Sequence, residues 1–201
     1  MQVGTFLHFL ANHGLFELER PRWRTVTGGS REYVERIAKE IPLVRTGVDV
    51  TAVARTTGGV RVTSPDGPEL FDEVVLATHA PQTLRLLGND ATEVERAILG
   101  TFRYAPNRAV VHRDQSVMPR RKAAWSAWNA VGTPAGSLQP ISVTYLMTRL
   151  QNLDPNHHVF ITLHPETDPE NIIDDIWYAH PQVNPDTDRA QQRLPEIQGR
   201  G

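Results

Sequence analysis

Residues Trp23–Ile37, WRTVTGGSREYVERI, decide how the chain is divided. A strand-like approach through Arg24 and Val26 meets a glycine pair, Gly28-Gly29. Ser30 follows, then a helical pattern with Tyr33, Val34, Ile37 and Ala38 on one face. Two successive residues without Cβ atoms allow positive φ and let another body approach the backbone closely. Ser30 is placed as an N-cap, and Glu32 lies in the first turn, where negative charge suits the helix dipole. Such a turn leaves backbone N–H groups pointing at whatever sits above it. Taken alone, its spacing favours a plain structural connection.

Outward from this stretch, the segment from Thr5 to Ala11 reads as a helix ended by Asn12-His13-Gly14, with Gly14 as the C′ residue. The helix from Ser30 runs to Glu40 and stops before Pro42. The period then changes. Val48, Val50, Ala52 and Ala54 alternate with Asp49, Thr51 and Val53, and a second strand, Gly59–Thr63, leads into the turn Ser64-Pro65-Asp66-Gly67. Chain reversal there predicts an antiparallel hairpin. Asp72–Thr78 (DEVVLAT) carries four consecutive apolar residues, which predicts a strand buried on both faces in a layered α/β sheet. Pro81 suits the first turn of a helix over Gln82–Leu87, closed by Gly88. Thr92 with Glu95 forms a capping box for a helix reaching Leu99, closed by Gly100.

The second half changes character. Arg108–Arg113, Ile141–Met147 and His158–His164 are strand-like, separated by loops rich in proline, glycine and asparagine. Trp125 and Trp128 stand in AWSAWNA, where core or interface packing is the ordinary reading. Asp186 or Thr187 is placed to cap a helix over Arg189–Gln198, interrupted at Pro195.

Composition removes several classes of function. A net charge of −2 gives no basic footprint for nucleic acid, and Arg120-Arg121-Lys122 is too short to supply one. There is no cysteine, so disulfides, thiolate metal sites and thiol nucleophiles are excluded, which fits a cytoplasmic protein. The opening MQVGTFLHFLANHGLFELE lacks the basic segment and cleavage site of a signal peptide, and no apolar run approaches the length of a membrane span. An apolar beginning and an end at Gln198–Gly201, just past a helical pattern, read as a piece of something larger. His158 and His164 are too far apart along a strand to chelate, His157 points the other way, and HExxH is absent, so no metal site is expected. Neither a GxSxG elbow nor a GxGxxG fingerprint occurs.

The order Trp23–Ser30, helix, Val48-Asp49-Val50-Thr51-Ala52-Val53, hairpin, Asp72–Pro81 resembles the flavin-containing amine oxidase superfamily, which includes monoamine oxidases, phytoene desaturases and protoporphyrinogen oxidase. HFLANHGLFELERPRWRTVTGGSREYVERI, VVLATHAPQTLRLLG and AWSAWN are similar to a bacterial subgroup described as NAD/FAD-binding and amine oxidase-like. The resemblance implies an α/β and α+β fold. In it, part of an FAD-binding sheet domain joins a largely antiparallel-sheet substrate domain, incomplete at both ends. Residues 1–29 would be a substrate-domain helical segment, 30–83 part of the FAD domain, 84–180 the substrate domain and 181–201 the start of a closing FAD segment.

It implies FAD as cofactor. Gly28, Gly29 and Ser30 would lie near the ring end, Val50 at the adenine, and Ala77, Thr78, His79 and Pro81 along the turn over which the dinucleotide passes. Trp125 and Trp128 would shape a cavity for a small-molecule or lipid-like organic substrate. The implied activity is hydride removal from a C–N or C–C bond. Two departures accompany it. The GxGxxG segment that carries pyrophosphate is missing, as is the closing acidic, glycine-containing segment, so this chain is expected to hold FAD poorly by itself. Where the family often carries a lysine, this strand offers Asn107 and Arg108, and arginine is no base at neutral pH. The rival expectation is a truncated, non-catalytic binding or interaction module. Substrate, electron acceptor, catalytic residues and oligomeric state stay open.

Overall fold

Helix α1, Val3–Asn12, ends where Gly14 supplies a φ of +61°. The Gly14 N–H donates to Ala11 O at 3.0 Å and the Leu15 N–H to Leu10 O at 2.9 Å, the paired bonds of a glycine-closed helix end. The computed structural model describes residues 3–19, 24–131, 141–151 and 153–199; Trp23 lies outside them. The chain divides into two units, Met1–Arg103 with Pro181–Gly201, and Tyr104–His180.

In the first unit, α2 (Arg31–Glu40) stops at Ile41, which is extended (φ −88°, ψ 121°) as a residue before proline must be. Strands β1 (Ala52–Thr56), β2 (Gly59–Ser64) and β3 (Gly67–Phe71) form an antiparallel meander. The expected reversal at Ser64–Gly67 is present and joins β2 to β3 as an antiparallel hairpin. Two expectations fail here. Val48 and Val50 lie outside β1, and the residue turned inward is Val53, 4% exposed, rather than Ala52 and Ala54. Hairpin register is the reason. Val53 faces Val62 and Arg55 faces Val60, so the face bearing both β2 valines is the one buried, and β1 must follow it.

Residues 72–78 form no strand, and Val75 is 92% exposed. A doubly buried strand needs a ladder on each edge and a layer on each face, and among the described residues this segment joins neither sheet. Val74 and Leu76 instead pack with Leu84 and Leu86 against Val53, Val60, Leu87 and Ala91.

Helix α3 (Ala80–Leu87) has Pro81 in its first turn and ends at Gly88, φ +52°. Helix α4 (Glu93–Leu99) carries the expected capping box: Glu95 N–H donates to Thr92 Oγ1 at 3.2 Å and Thr92 N–H to Glu95 Oε2 at 2.7 Å. The same buried carboxylate receives Arg55 Nη2 at 2.6 Å. Burial alone would raise the Glu95 pKa; the bonds from Thr92 and Arg55 outweigh it and hold the group below its ordinary value.

In the second unit, β4 (Arg103–His112), β5 (Trp128–Val131), β6 (Ser142–Leu146), β7 (Phe160–Leu163) and β8 (Ile172–Gln182) form one sheet in the order β5-β6-β7-β4-β8, with the short helix α5 (Met147–Leu150) after β6. The pairs β5–β6, β6–β7 and β7–β4 are antiparallel. The second half is thus the antiparallel sheet expected, although β5 and β8 were not read as strands. One face is closed: Phe160 and Leu146 pack with Met118, Val117 and Trp125. Helix α6 (Pro185–Arg193) starts earlier than expected. Its cap is Asn184, whose Oδ1 accepts from Asp186 and Thr187 N–H at 2.9 and 3.1 Å, with Pro185 at the first position. A 3₁₀ turn over Leu194–Ile197 contains Pro195, the predicted interruption.

Phe160 is completely buried on the closed face, so Phe160→Ala is expected to cost about 3–5 kcal/mol by leaving a cavity, whereas Leu70→Ala on the exposed side of β3 should change stability little. Urea unfolding midpoints of the two variants check this.

Candidate functional site

The glycine pair makes a tight turn. Gly29 N–H donates to Val26 O at 3.0 Å, with φ +85° at Gly28 and +89° at Gly29, values that only glycine adopts easily. The two are not equivalent. A Cβ on Gly28 would stand 2.9 Å from Glu32 Cγ, whereas one on Gly29 would meet nothing within 4 Å. Open space therefore lies over Gly29, and Gly28 is closed by its own helix. Ser30 does not cap. It is helical (φ −64°, ψ −23°) and makes no side-chain cap bond, because an N-cap needs an extended backbone to aim its oxygen at the first-turn N–H groups. Tyr33, Val34 and Ile37 leave the apolar face of α2 exposed.

Val50 is exposed just ahead of β1, where the ladder begins with Thr51 N–H donating to Thr63 O at 2.8 Å. Ala77, Thr78 and His79 are exposed and Pro81 is half-buried. Their connection into α3 is held by the Thr78 and Thr83 hydroxyls at 2.8 Å and by His79 N–H donating to Gln82 Oε1 at 3.1 Å. The first unit has two described cavities. One, of about 280 Å³, is lined by Arg55, Thr92, Val94, Glu95, Glu196 and Ile197; the other, of about 190 Å³, lies between α4 and α6. Neither is lined by the glycine turn, Val50 or residues 77–81. Among the described residues no three His, Asp or Glu side chains are placed to hold a metal ion.

The tryptophans differ. Trp125 is half-buried, donates Nε1–H to Pro119 O at 2.7 Å, and stands edge-on to His158 and Phe160 with centroids at 5.4 and 6.0 Å. Trp128, on the edge strand β5, is 56% exposed and meets Tyr145 at 5.8 Å and 73°. Arg108 is gripped by two carboxylates. Its Nε and Nη2 reach Asp175 at 2.7–3.2 Å and Nη1 reaches Asp168 at 2.6 Å, so hydrogen bonds to Asp175 first and Asp168 second raise its pKa further. It is a tie between β4, β8 and the preceding loop.

Sequence reasoning missed the buried polar row on the closed face. His112 Nε2 lies 2.7 Å from Thr162 Oγ1, which lies 2.9 Å from Thr144 Oγ1, and Asn129 Nδ2–H donates to Thr144 O at 3.3 Å. Asp114 N–H donates to His112 Nδ1 at 3.1 Å, which makes that nitrogen an acceptor and puts the neutral ring's proton on Nε2. Threonine at alternate strand positions is the only trace of this row in the sequence. Asn107 was missed as well. It is 9% exposed, and its Oδ1 is buried with no hydrogen-bond partner. Such an acceptor costs about 1–3 kcal/mol when left unmade.

The chain is similar to solved structures. With a CLA-producing fatty acid isomerase from P. acnes it shares 18% identity at a TM-score of 0.59, over 86% of this chain and 45% of that one. With a candidate protoporphyrinogen oxidase from Exiguobacterium sp. 255-15 it shares 18% identity at a TM-score of 0.60, over 98% of this chain and 52% of that one. These likenesses show the fold, and the chain spans about half the length of each protein. No family model and no curated protein matches. Among the described residues no helix is long and apolar enough to cross a membrane.

His112 carries a pH prediction. Burial lowers its pKa below 6.5, with Asp114 partly opposing. Below pH 6.5 the unfolded chain takes up a proton that the folded chain refuses. Stability from this group is therefore complete above that pH and is lost as pH falls from 6.5 towards the lower folded value. Unfolding midpoints measured across that window should decline in the native chain and decline less in His112→Gln.

Proposed function

We propose that the chain forms part of an FAD-dependent oxidoreductase that takes hydride from a C–N or C–C bond of an organic substrate. One observation carries the reading. A chain whose motif order resembles the flavin-containing amine oxidases also has the fold of a candidate protoporphyrinogen oxidase, an activity of that superfamily, along 98% of its length.

The residues present fit FAD in part. Open space over Gly29 suits the close approach of a flat ring system, with Gly28 and Ser30 shaping the turn beneath it. The exposed residue Val50 suits the adenine, and the exposed connection Ala77-Thr78-His79, entering α3 at Pro81, suits the passing dinucleotide. No glycine-rich GxGxxG cradle for pyrophosphate exists in this chain, so these residues would steer the cofactor rather than anchor it. When bound, FAD supplies the hydride acceptor.

The chain's own part is to orient substrate and keep water away. We assign that to the sheet of the second unit, with Trp128 exposed on its edge strand and Trp125 bracing the opposite face. Arg108 moves no proton, being permanently charged and tied to Asp168 and Asp175. In this reading residues 30–83 serve the cofactor and 84–180 the substrate, flanked by 1–29 and 181–201, and the lack of cysteine suits the cytoplasm.

A second reading, a binding module that does not hold FAD by itself, is favoured for this stretch alone by the missing pyrophosphate segment. The two separate when the chain is expressed together with its flanking reading frame and its visible spectrum recorded. A flavin spectrum is expected, weakened by Gly29→Val, which puts a branched side chain into the open space at positive φ. A correctly folded, colourless protein overturns the flavin reading.

A further inference from the structure

We infer that the second face of the five-stranded sheet binds a bulky apolar molecule bearing one neutral hydrogen-bond donor, and that Asn107 receives that donor. This names a ligand class for the substrate side, and it rests on the flavin reading only for the chemistry that follows binding.

Alternation along β4 places Asn107, Ala109 and Val111 on one face and Arg108, Val110 and His112 on the other. Cross-strand register carries the first set onward: Ala109 pairs with Leu163 and Val111 with Ile161, these pair with Val143 and Tyr145, and Tyr145 pairs with Trp128. The result is an apolar strip across four strands. It differs from the opposite face in one respect that matters. There Val110, His112, Phe160, Thr144 and Thr162 are fully closed, whereas on the strip Ala109 is closed, Val111, Ile161, Leu163, Val143 and Tyr145 are only half-buried and Trp128 is exposed.

The strip therefore has apolar area still to cover, ending in an edge-to-face aromatic pair. On the β4 side of the same face stands Asn107, more than nine-tenths buried, with its amide oxygen unpartnered. Buried acceptors in folded proteins are nearly always satisfied, so a donor from outside the chain is the natural complement. We take that donor as neutral, because the side chains of these four strands include no carboxylate to offset the desolvation of a cation, and Asp174 of β8, which alternation from Asp175 puts on the same face, is exposed to water. An O–H or N–H on a large apolar body meets both conditions.

The test uses 2-naphthol and 2-methoxynaphthalene, matched in apolar bulk and differing in the O–H. Both are titrated into the chain and into the flank-extended protein, with Kd read by ligand-observed NMR. We expect 2-naphthol to bind about tenfold tighter, the worth of one hydrogen bond to a buried acceptor. Asn107→Leu should abolish that preference while leaving 2-methoxynaphthalene within about twofold, and Asn107→Asp, which keeps an acceptor, should retain it. Without probe, the thermal midpoint of Asn107→Leu should equal or exceed the native value, whereas a purely structural amide would make it fall.

Trp128→Ala should weaken both probes alike, a result independent of whether the leucine variant folds. Equal binding of the two probes to the native chain, a preference that survives Asn107→Leu, or binding indifferent to Trp128→Ala overturns the proposal. A colourless extended protein that still prefers 2-naphthol removes the flavin reading alone; a flavin-bearing one without preference removes this inference alone.

Discussion

Thr162 stands near the middle of the five-stranded sheet, and the hydroxyl it shares with Thr144 and His112 sets the terms on which that sheet forms. A hydroxyl taken out of water without a partner is costly, and these two threonines are 2% exposed. They satisfy each other only in the register that sets Val110 opposite Thr162 and Thr144 opposite Thr162. A slip of one residue would turn both to the other face, strand the His112 ring and expose Phe160. The polar row therefore selects the alignment, while Phe160, Leu146, Val110 and Met118 supply most of the favourable burial. The opposite strip, from Asn107 to Trp128, inherits its geometry from that choice.

Local chemistry was the part of the fold open to reading from sequence. The Thr92–Glu95 box, the glycine end of α1 at Gly14 and the extended residue before Pro42 each depend on atoms a few positions apart, and each is present. What failed depends on distant partners. The inward face of β1 is set by β2, and alternation within Val48–Ala54 could not say which parity wins. Asp174-Asp175 breaks the apolar pattern of β8, yet Asp175 is held by Arg108 from the neighbouring strand, a pairing no window of sequence displays. Ser30 has the right residue type for a cap but the wrong backbone. The candidate site was legible in the same uneven way. The glycine pair and its positive φ values were foreseen; the closing of Gly28 by Glu32, and Asn107 as an unmatched acceptor, needed the folded chain.

Motif order and fold contribute separately to the functional reading. The order of the glycine turn, Val48–Val53 and Asp72–Pro81 carries a resemblance in sequence; the likeness at 18% identity shows an architecture shared with proteins about twice as long. The second unit adds what neither supplies, a sheet with one sealed face and one half-covered face. Sealing one face with a polar row lets the other stay half-covered without loss of register.

The run Val74-Val75-Leu76-Ala77 has a consequence of another kind. It is short, rich in β-formers, outside any sheet, and turns Val75 almost wholly to solvent. Segments of this composition recruit copies of themselves when their edges are free. Asp72 and Glu73 stand at one end as charged gatekeepers, but the other end runs into Thr78 and His79 without a fixed charge. With Val74 and Leu76 packed against the core, Val75 is the one large apolar side chain of the run left for a neighbouring copy to meet.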